Sequence, residues 1–230
     1  IINYNVFFRR FDYNGRYGKS DCKLLLGEKY VPLRSQFGLI QKHNFVCEHD
    51  KTQVLLICGG GDRENMILTV LRWMQKNQNQ MFCRCEWMVV IGSYYPYKDE
   101  LLTIASENQN IFVKINISNM AELMNQCDLC ISAASTVLYE CCAMLLPTLF
   151  FVVAEDQVYD AEWFSKNEMM LYCGNFVVEK EQSLKKLGKN MISIFRNRKM
   201  QQEMKNQMKK FLDTYGAKRI VDEILTDMGE

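Results

Sequence analysis

The sequence lacks an excess of charge of either sign. Its 230 residues include 28 Lys and Arg and 27 Asp and Glu, so the formal net charge is +1. A chain this close to neutrality has no general electrostatic attraction for nucleic acid or for an anionic membrane surface. We therefore expect no nucleic-acid partner, and a site for an anion must be a local arrangement of residues.

Long apolar runs are missing too. No segment approaches the roughly 20 apolar residues that span a bilayer, so we predict no membrane span. The ten cysteines follow no paired spacing typical of a disulfide framework, and several lie inside apolar runs, which indicates reduced, buried thiols in a cytoplasmic protein. Cys127 and Cys130 have the spacing of a redox motif, but their position at the start of an apolar strand favours packing. No carboxylate cluster indicates a metal, and we expect no cofactor.

What the sequence does contain is a regular alternation of short apolar segments and amphipathic ones. Hydrophobic residues make up 48% of the chain, which is enough for a sizeable core. The apolar segments predict strands at 54–58, 87–91, 111–117, 128–131, 148–153 and either 169–172 or 176–178. Helical spacing between them predicts an α/β, Rossmann-like parallel sheet with helices on both faces. After residue 179 the pattern is helical, and we expect an apolar stripe at 220–225 to close the domain.

The first part of the chain does not resemble a self-contained unit. It has a predicted strand at 5–8 and a polar loop at 12–20, and the polar segment 41–52, which contains both histidines, is expected to be a connector. We divide the chain into residues 1–38, the tail of a preceding domain with its linker, and residues 39–230, the main domain. Because the chain starts at Ile1 inside a predicted strand, without an initiator Met, we expect a piece of a longer protein.

Ligands of open α/β sheets bind beyond the carboxyl ends of the strands, so the loops after the strands are the places to inspect. The first such loop reads Gly-Gly-Gly-Asp-Arg-Glu-Asn at 59–65. It is neither a dinucleotide fingerprint, because the third glycine would fall on Glu64, nor a P-loop. Two interpretations stay open: a turn whose aspartate caps the next helix, or a loop that admits a ligand close to the backbone. Its candidate residues are Gly59, Gly60, Gly61, Asp62 and Asn65.

A second loop, of small residues, joins a predicted strand to a helix that begins near Thr136. Its candidate residues are Ser132, Ala133, Ala134, Ser135 and Thr136. The free N–H groups and positive dipole end of a helix favour an anion, typically a phosphate. We expect Ser135 or Thr136 to cap this helix and the ends of two neighbouring helices to converge on a pyrophosphate.

Glu140 lies four residues after Thr136, whereas a capping box requires three. Its carboxylate is therefore available for another task. A carboxylate one turn into such a helix can accept hydrogen bonds from the vicinal hydroxyls of a ribose. The alternative interpretation is a helix glutamate that faces solvent.

Four blocks of sequence, in this order, resemble the PseG/SpsG group of UDP-sugar hydrolases, which are relatives of MurG-type GT-B glycosyltransferases. The blocks are LLLGEKYVPLRSQF at 24–37, ICGGGDREN at 57–65, NMAELMNQCDLCISAASTVLYE at 119–140 and AEDQ at 154–157. The resemblance implies that the chain from about residue 39 is the C-terminal, nucleotide-binding half of a GT-B fold, preceded by a remnant of the N-terminal domain.

The same resemblance assigns roles to the candidate residues. It implies that the glycine loop and residues 132–136 hold the diphosphate of UDP, that Glu140 holds the ribose, and that Asp156 and Gln157 line the sugar side of the cleft. Arg34 matches a position that faces the substrate, where a guanidinium suits a phosphate; the alternative is a surface arginine. The family usually has Asn where this chain has Asp156, and often Gly near Leu145.

The resemblance also implies an activity for the parent protein, the hydrolysis of a UDP-sugar in nonulosonic (pseudaminic-type) acid or surface polysaccharide biosynthesis. These residues contain no counterpart of the Gly-His loop that carries the family's catalytic histidine, so we assign no catalytic residue. We expect the chain to bind UDP or a UDP-sugar, to have little hydrolase activity alone, and to work with its own N-terminal domain. Two alternatives stay open: a glycosyltransferase with a UDP-sugar donor, and a non-catalytic nucleotide-sugar-binding module.

Overall fold

The computed structural model describes residues 1–40, 51–59 and 61–228. The chain starts with four short elements, β1 (Ile2–Asn3), α1 (Tyr13–Tyr17), β2 (Leu25–Leu26) and α2 (Gln36–Leu39). Strands β1 and β2 pair in parallel as a small two-stranded sheet. Most of the predicted connector, residues 41–50, lies outside the described residues.

The main domain is organised around a six-stranded sheet in which every pairing is parallel. Its strands are β3 (Thr52–Ile57), β4 (Cys85–Ile91), β5 (Ile111–Ile115), β6 (Leu129–Ala133), β7 (Thr148–Val152) and β8 (Leu171–Asn175). Their spatial order is β5-β4-β3-β6-β7-β8. All residues of β6 and β7 are buried, because a parallel sheet is covered on both faces.

Nine helices follow or connect these strands in the described part of the main domain. They are α3 (Met66–Asn77), α4 (Asn79–Arg84), α5 (Lys98–Glu107), α6 (Met120–Gln126), α7 (Val137–Met144), α8 (Val158–Lys166), α9 (Lys180–Arg196), α10 (Arg198–Phe211) and α11 (Gly216–Met228). One hydrophobic core lies under α6, α7 and α8, and the other under α3, α4 and α9. Within the described ranges, no helix combines the length and apolarity needed to cross a bilayer.

The first 40 residues pack directly on the main domain. Val6, Val31, Leu33 and Phe37 are buried in the core under α6 and α7. The strand predicted at 5–8 is wrong, because the chain turns there into a short 3₁₀ helix (Phe8–Arg10) in which backbone groups bond locally. The division into residues 1–38 and 39–230 stays a prediction.

The last helix, α11, differs from the expectation that its apolar stripe closes the domain. The apolar side chains of Val221, Ile224 and Leu225 are exposed, so this stripe does not close the main domain. Helix α11 is held instead by polar contacts with the first 40 residues. Arg219 donates to the carbonyl of Lys29 at 3.0 Å, and Lys23 forms ion pairs with Glu223 and Asp227.

Candidate functional site

The strand order changes direction between β3 and β6, the place where open α/β sheets have their ligand-binding crevice. The chain winds from β3 outwards through β4 and β5, then returns to β6 and continues in the opposite direction. Such a switch point leaves an opening at the carboxyl ends of the two central strands, where ligands of this type of sheet bind. The glycine loop follows β3 and the loop of small residues follows β6, so both candidate loops border this opening.

The two loops are in close proximity. A methyl group placed on Gly59 would lie 3.9 Å from Ser135 Oγ, and Gly59 has a φ of +76°, a conformation that glycine adopts far more readily than other residues. Gly61 is exposed and has open space around it. Gly60 lies outside the described residues. Gly59 and Ser135 therefore lie near each other, whereas the ligand that the two loops bind remains a prediction.

Asp62 caps helix α3, as the first of the two interpretations of the glycine loop supposed. Its carboxylate oxygens accept hydrogen bonds from the backbone N–H groups of Met66 at 2.7 Å and Ile67 at 2.9 Å. The residue is only 5% exposed, and this burial raises the pKa of its carboxyl group, while the two N–H donors oppose the rise. Helix α3 therefore offers these two N–H groups to its own aspartate and not to a ligand.

Asn65 ends the glycine loop in a left-handed conformation with a φ of 54°, which asparagine tolerates better than most residues. Its Oδ1 atom is buried and makes no hydrogen bond within the described residues. Asn65 thus fixes the start of α3 through its backbone, and its carbonyl accepts from the hydroxyl of Thr69 at 2.6 Å.

Helix α7 begins differently. Thr136 occupies the position before its first residue, yet the threonine side chain makes no capping hydrogen bond. Ser135 Oγ is 3.4 Å from the N–H of Val137, a long distance for a cap. Ser135 therefore caps weakly and Thr136 does not. The positive end of α7 consequently faces the crevice with less compensation from its own side chains than that of α3.

The remaining residues of the second loop are part of the sheet. Ser132, Ala133 and Ala134 are buried, and Ser132 Oγ donates to the carbonyl of Ala133 at 3.0 Å. The backbone N–H of Ala134 donates to the carbonyl of Phe151 at 2.7 Å. These three residues therefore shape the crevice from beneath, whereas Ser135 and Thr136 stand at its surface.

Glu140 does not face bulk solvent, because it pairs with Arg34. The Arg34 guanidinium lies 3.2 Å from Glu140 Oε1, and the two side chains are 51% and 19% exposed, respectively. Burial raises the pKa of Glu140, and the charge of Arg34 opposes this rise. The guanidinium also lies 5.6 Å from the centre of the Phe37 ring. The sequence singled out both partners but gave no indication that they pair.

Asp156 and Gln157 lie in a 3₁₀ turn, Glu155–Gln157, between β7 and α8. Asp156 is exposed. Gln157 turns back on its own loop, since its Oε1 atom accepts from the N–H of Val153 at 3.0 Å. Of the two residues predicted for the sugar side, only Asp156 presents a free-standing exposed side chain.

Sequence reasoning missed a polar contact behind the site. The hydroxyl of Tyr139 accepts from the backbone N–H of Val6 at 3.1 Å and donates to Asp160 Oδ1 at 3.2 Å. Burial raises the pKa of Asp160 to about 6; the hydrogen bond from Tyr139 opposes this rise and the charge of Asp156 adds to it. No sequence pattern signals this contact, because its three residues come from distant parts of the chain.

Most of the main domain matches a known protein family. Residues 53–220 match the glycosyltransferase family 28 C-terminal domain. The chain belongs to this family. A curated relative is the UDP-2,4-diacetamido-2,4,6-trideoxy-beta-L-altropyranose hydrolase of Campylobacter jejuni, which is 27% identical over 169 residues, or 72% of this chain and 57% of the relative.

Two solved structures show that the fold of this family 28 domain is shared with larger proteins. The glycosyltransferase WaaG, involved in lipopolysaccharide biosynthesis, matches with a TM-score of 0.65 at 14% identity over 97% of this chain and 62% of WaaG. The MnaA–UDP structure from S. aureus matches with a TM-score of 0.58 at 14% identity, over 79% and 47%. The chain spans less than two thirds of its curated relatives. The predicted fold class is confirmed: a parallel α/β domain like the C-terminal half of GT-B glycosyltransferases.

Proposed function

We propose that this family 28 domain binds a UDP-sugar in the crevice between the loops after β3 and β6. The observation that carries the proposal is the proximity of the glycine loop to the weakly capped start of α7, one turn before the part-buried carboxylate of Glu140. A helix start with little side-chain capping favours a phosphate. The similar proteins include a UDP-sugar hydrolase and a protein whose structure was determined with UDP, which agrees with this ligand.

The candidate residues contact different parts of the ligand in this proposal. The backbone of Gly59 and Gly61 and the start of α7 at Ser135 and Thr136 contact the diphosphate, with Gly60 completing the glycine loop. Arg34 supplies a positive charge to the diphosphate, whereas Asp62 and Asn65 support α3. Glu140 accepts the ribose hydroxyls. Asp156 reaches the sugar from the rim, and Gln157 holds its loop in place.

We further propose that the parent protein hydrolyses its UDP-sugar, in the biosynthesis of nonulosonic (pseudaminic-type) acids or surface polysaccharides. The four sequence blocks and the 27% identical hydrolase support this assignment. Hydrolysis needs a base that activates water; we place this group in an N-terminal domain for which residues 1–38 form the tail, so the chain alone has little activity. Seven of the nine described cysteines are buried, which supports a reducing, cytoplasmic location.

A glycosyltransferase is the second candidate, because the matched family and the WaaG fold are those of transferases. The two reactions differ in the acceptor. A hydrolase releases UDP from a UDP-sugar in water alone, whereas a transferase requires an acceptor for the same release. Measuring UDP release by the parent protein with and without added acceptor distinguishes the two candidates.

Calorimetric titration with UDP tests the binding proposal on this chain. Glu140→Gln should raise the Kd for UDP about 10- to 100-fold, since charge-assisted hydrogen bonds contribute about 1.5–3 kcal/mol. Glu162→Gln is the matched control, because Glu162 is an exposed glutamate of α8 that pairs with Arg10 away from the crevice. The proposal fails if the unaltered chain shows neither heat nor a thermal shift at millimolar UDP.

A further inference from the structure

The Arg34–Glu140 ion pair involves the carboxylate that we propose binds the ribose. Glu140 Oε1 accepts from the Arg34 guanidinium at 3.2 Å, so the carboxylate is already engaged. A ribose whose two hydroxyls donate to both carboxylate oxygens competes with the guanidinium for Oε1. The pair therefore raises the question of where the arginine goes when a nucleotide binds.

The two partners differ in how readily they can move. The Glu140 side chain is largely buried, and it projects from a helix whose neighbouring residues, such as Tyr139 and Cys141, lie in the core. The Arg34 side chain is half exposed on a long flexible stem, and its guanidinium contacts the face of Phe37. An exposed guanidinium can reorient over a few ångströms without a change in the backbone. Arg34 is therefore the mobile member of the pair.

Resting on the function proposed above, we propose that Arg34 is a specificity-determining residue that exchanges partners, leaving Glu140 for the diphosphate as the ribose hydroxyls take its place on the carboxylate. In this exchange each charge keeps a partner. The guanidinium passes from one anion to another, and the part-buried carboxylate accepts two hydroxyl donors in place of one guanidinium.

The exchange favours nucleoside diphosphates over nucleosides. A nucleoside such as uridine offers its hydroxyls to Glu140 but gives Arg34 no anion to receive it. Uridine must therefore compete with Arg34, whereas UDP recruits it. Arg34 thus strengthens the binding of ligands with phosphate and weakens the binding of those without it.

The opposite model, in which Arg34 only holds Glu140 in place for the ribose, makes different predictions. In that model, replacing Arg34 weakens the binding of uridine and of UDP by the same factor. This effect disappears once Glu140 has also been replaced. The exchange predicts that replacing Arg34 weakens the binding of UDP but not that of uridine. It also predicts a larger loss of UDP affinity in a Glu140→Gln background, because there the arginine has no carboxylate to leave.

The test is a binding cycle on the chain with Arg34→Gln, Glu140→Gln and the double variant, titrated with UDP and with uridine by calorimetry and ligand-observed NMR. We expect Arg34→Gln to raise the Kd for UDP at least tenfold, by a larger factor in the Glu140→Gln background, and to leave the Kd for uridine unchanged or lower. The control Arg10→Gln, at an ion pair that also joins the first 40 residues to the main domain, should change neither.

Two results would overturn the exchange while leaving UDP binding in place. One is an equal loss of affinity for uridine and for UDP in Arg34→Gln. The other is an effect of Arg34→Gln on the affinity for UDP that becomes smaller or vanishes in the Glu140→Gln background. A chain that binds no UDP at all refutes the proposed function itself, and the exchange with it. The UDP cycle decides the matter on its own where uridine binds too weakly to measure.

Discussion

Replacing Gly59 with alanine tests the backbone geometry that brings the two loops together. Gly59 has a φ of +76°, and the nearest atom to an added methyl group is Ser135 Oγ at 3.9 Å, an ordinary contact. The left-handed conformation costs an alanine about 1–2 kcal/mol, and the reduced freedom of the unfolded chain returns about 0.4–1 kcal/mol. We therefore expect Gly59→Ala to lower the free energy of unfolding by about 1 kcal/mol.

Urea denaturation and thermal melting measure this loss, which corresponds to a decrease of about 2–4 °C in Tm for a domain of this size. Gly61→Ala is the matched control, because no atom lies within 4 Å of its added methyl group and its φ is outside the left-handed region. We expect Gly61→Ala to be as stable as the unaltered chain or slightly more so. Equal stability of the two variants would refute the assigned strain at Gly59.

Substitutions at two further carboxylates are tested by urea denaturation. Asp62→Ala should lower the free energy of unfolding by about 1–2 kcal/mol, because two N–H groups of α3 lose their acceptor. Asp62→Asn keeps one oxygen acceptor and should therefore lose less stability. Equal losses of stability in the two variants would argue against the cap. Asp160→Asn should stabilise the chain by about 1 kcal/mol at pH 7, allowing for partial exposure. The pKa of Asp160 rises to about 6 on folding, so ionisation destabilises the folded state as the pH increases from about 4 to 7. The gain should vanish below about pH 4, and a gain independent of pH would contradict this assignment.

Periodicity predicted the main domain well, because β3, β4, β6 and β7 are short apolar runs that are largely buried. The helical spacing between the second and third predicted strands corresponds to α5 (Lys98–Glu107). Helix α4 was not predicted, since only Phe82 of its six residues is buried and no period can be seen. The last strand was ambiguous because its pairing with β7 shifts register between Phe150 and Phe151 and because Gly174 has a φ of 133°. Its observed bounds, Leu171–Asn175, overlap the first of the two predicted positions.

The proximity of the two loops was predictable, because parallel strands with right-handed crossovers bring their carboxyl ends to one edge. The ion pair between Arg34 and Glu140 was not, since its partners are 106 residues apart in the sequence. The exposed stripe of α11 shows a similar limit. A helical period identifies an apolar face, but only the tertiary structure shows whether that face is covered.

The structure also assigns different tasks to the two helices that border the crevice. We expected both helix ends to converge on the ligand, yet α3 is capped by the carboxylate of Asp62, and a negative charge there works against a phosphate at the same spot. Helix α7 has no comparable cap. In the proposed site, α7 and Arg34 therefore attract the diphosphate more strongly than the capped start of α3 does, and the glycine loop allows close approach to its backbone. For this reason a substitution at Arg34 should affect the affinity for UDP more than one at Gly61.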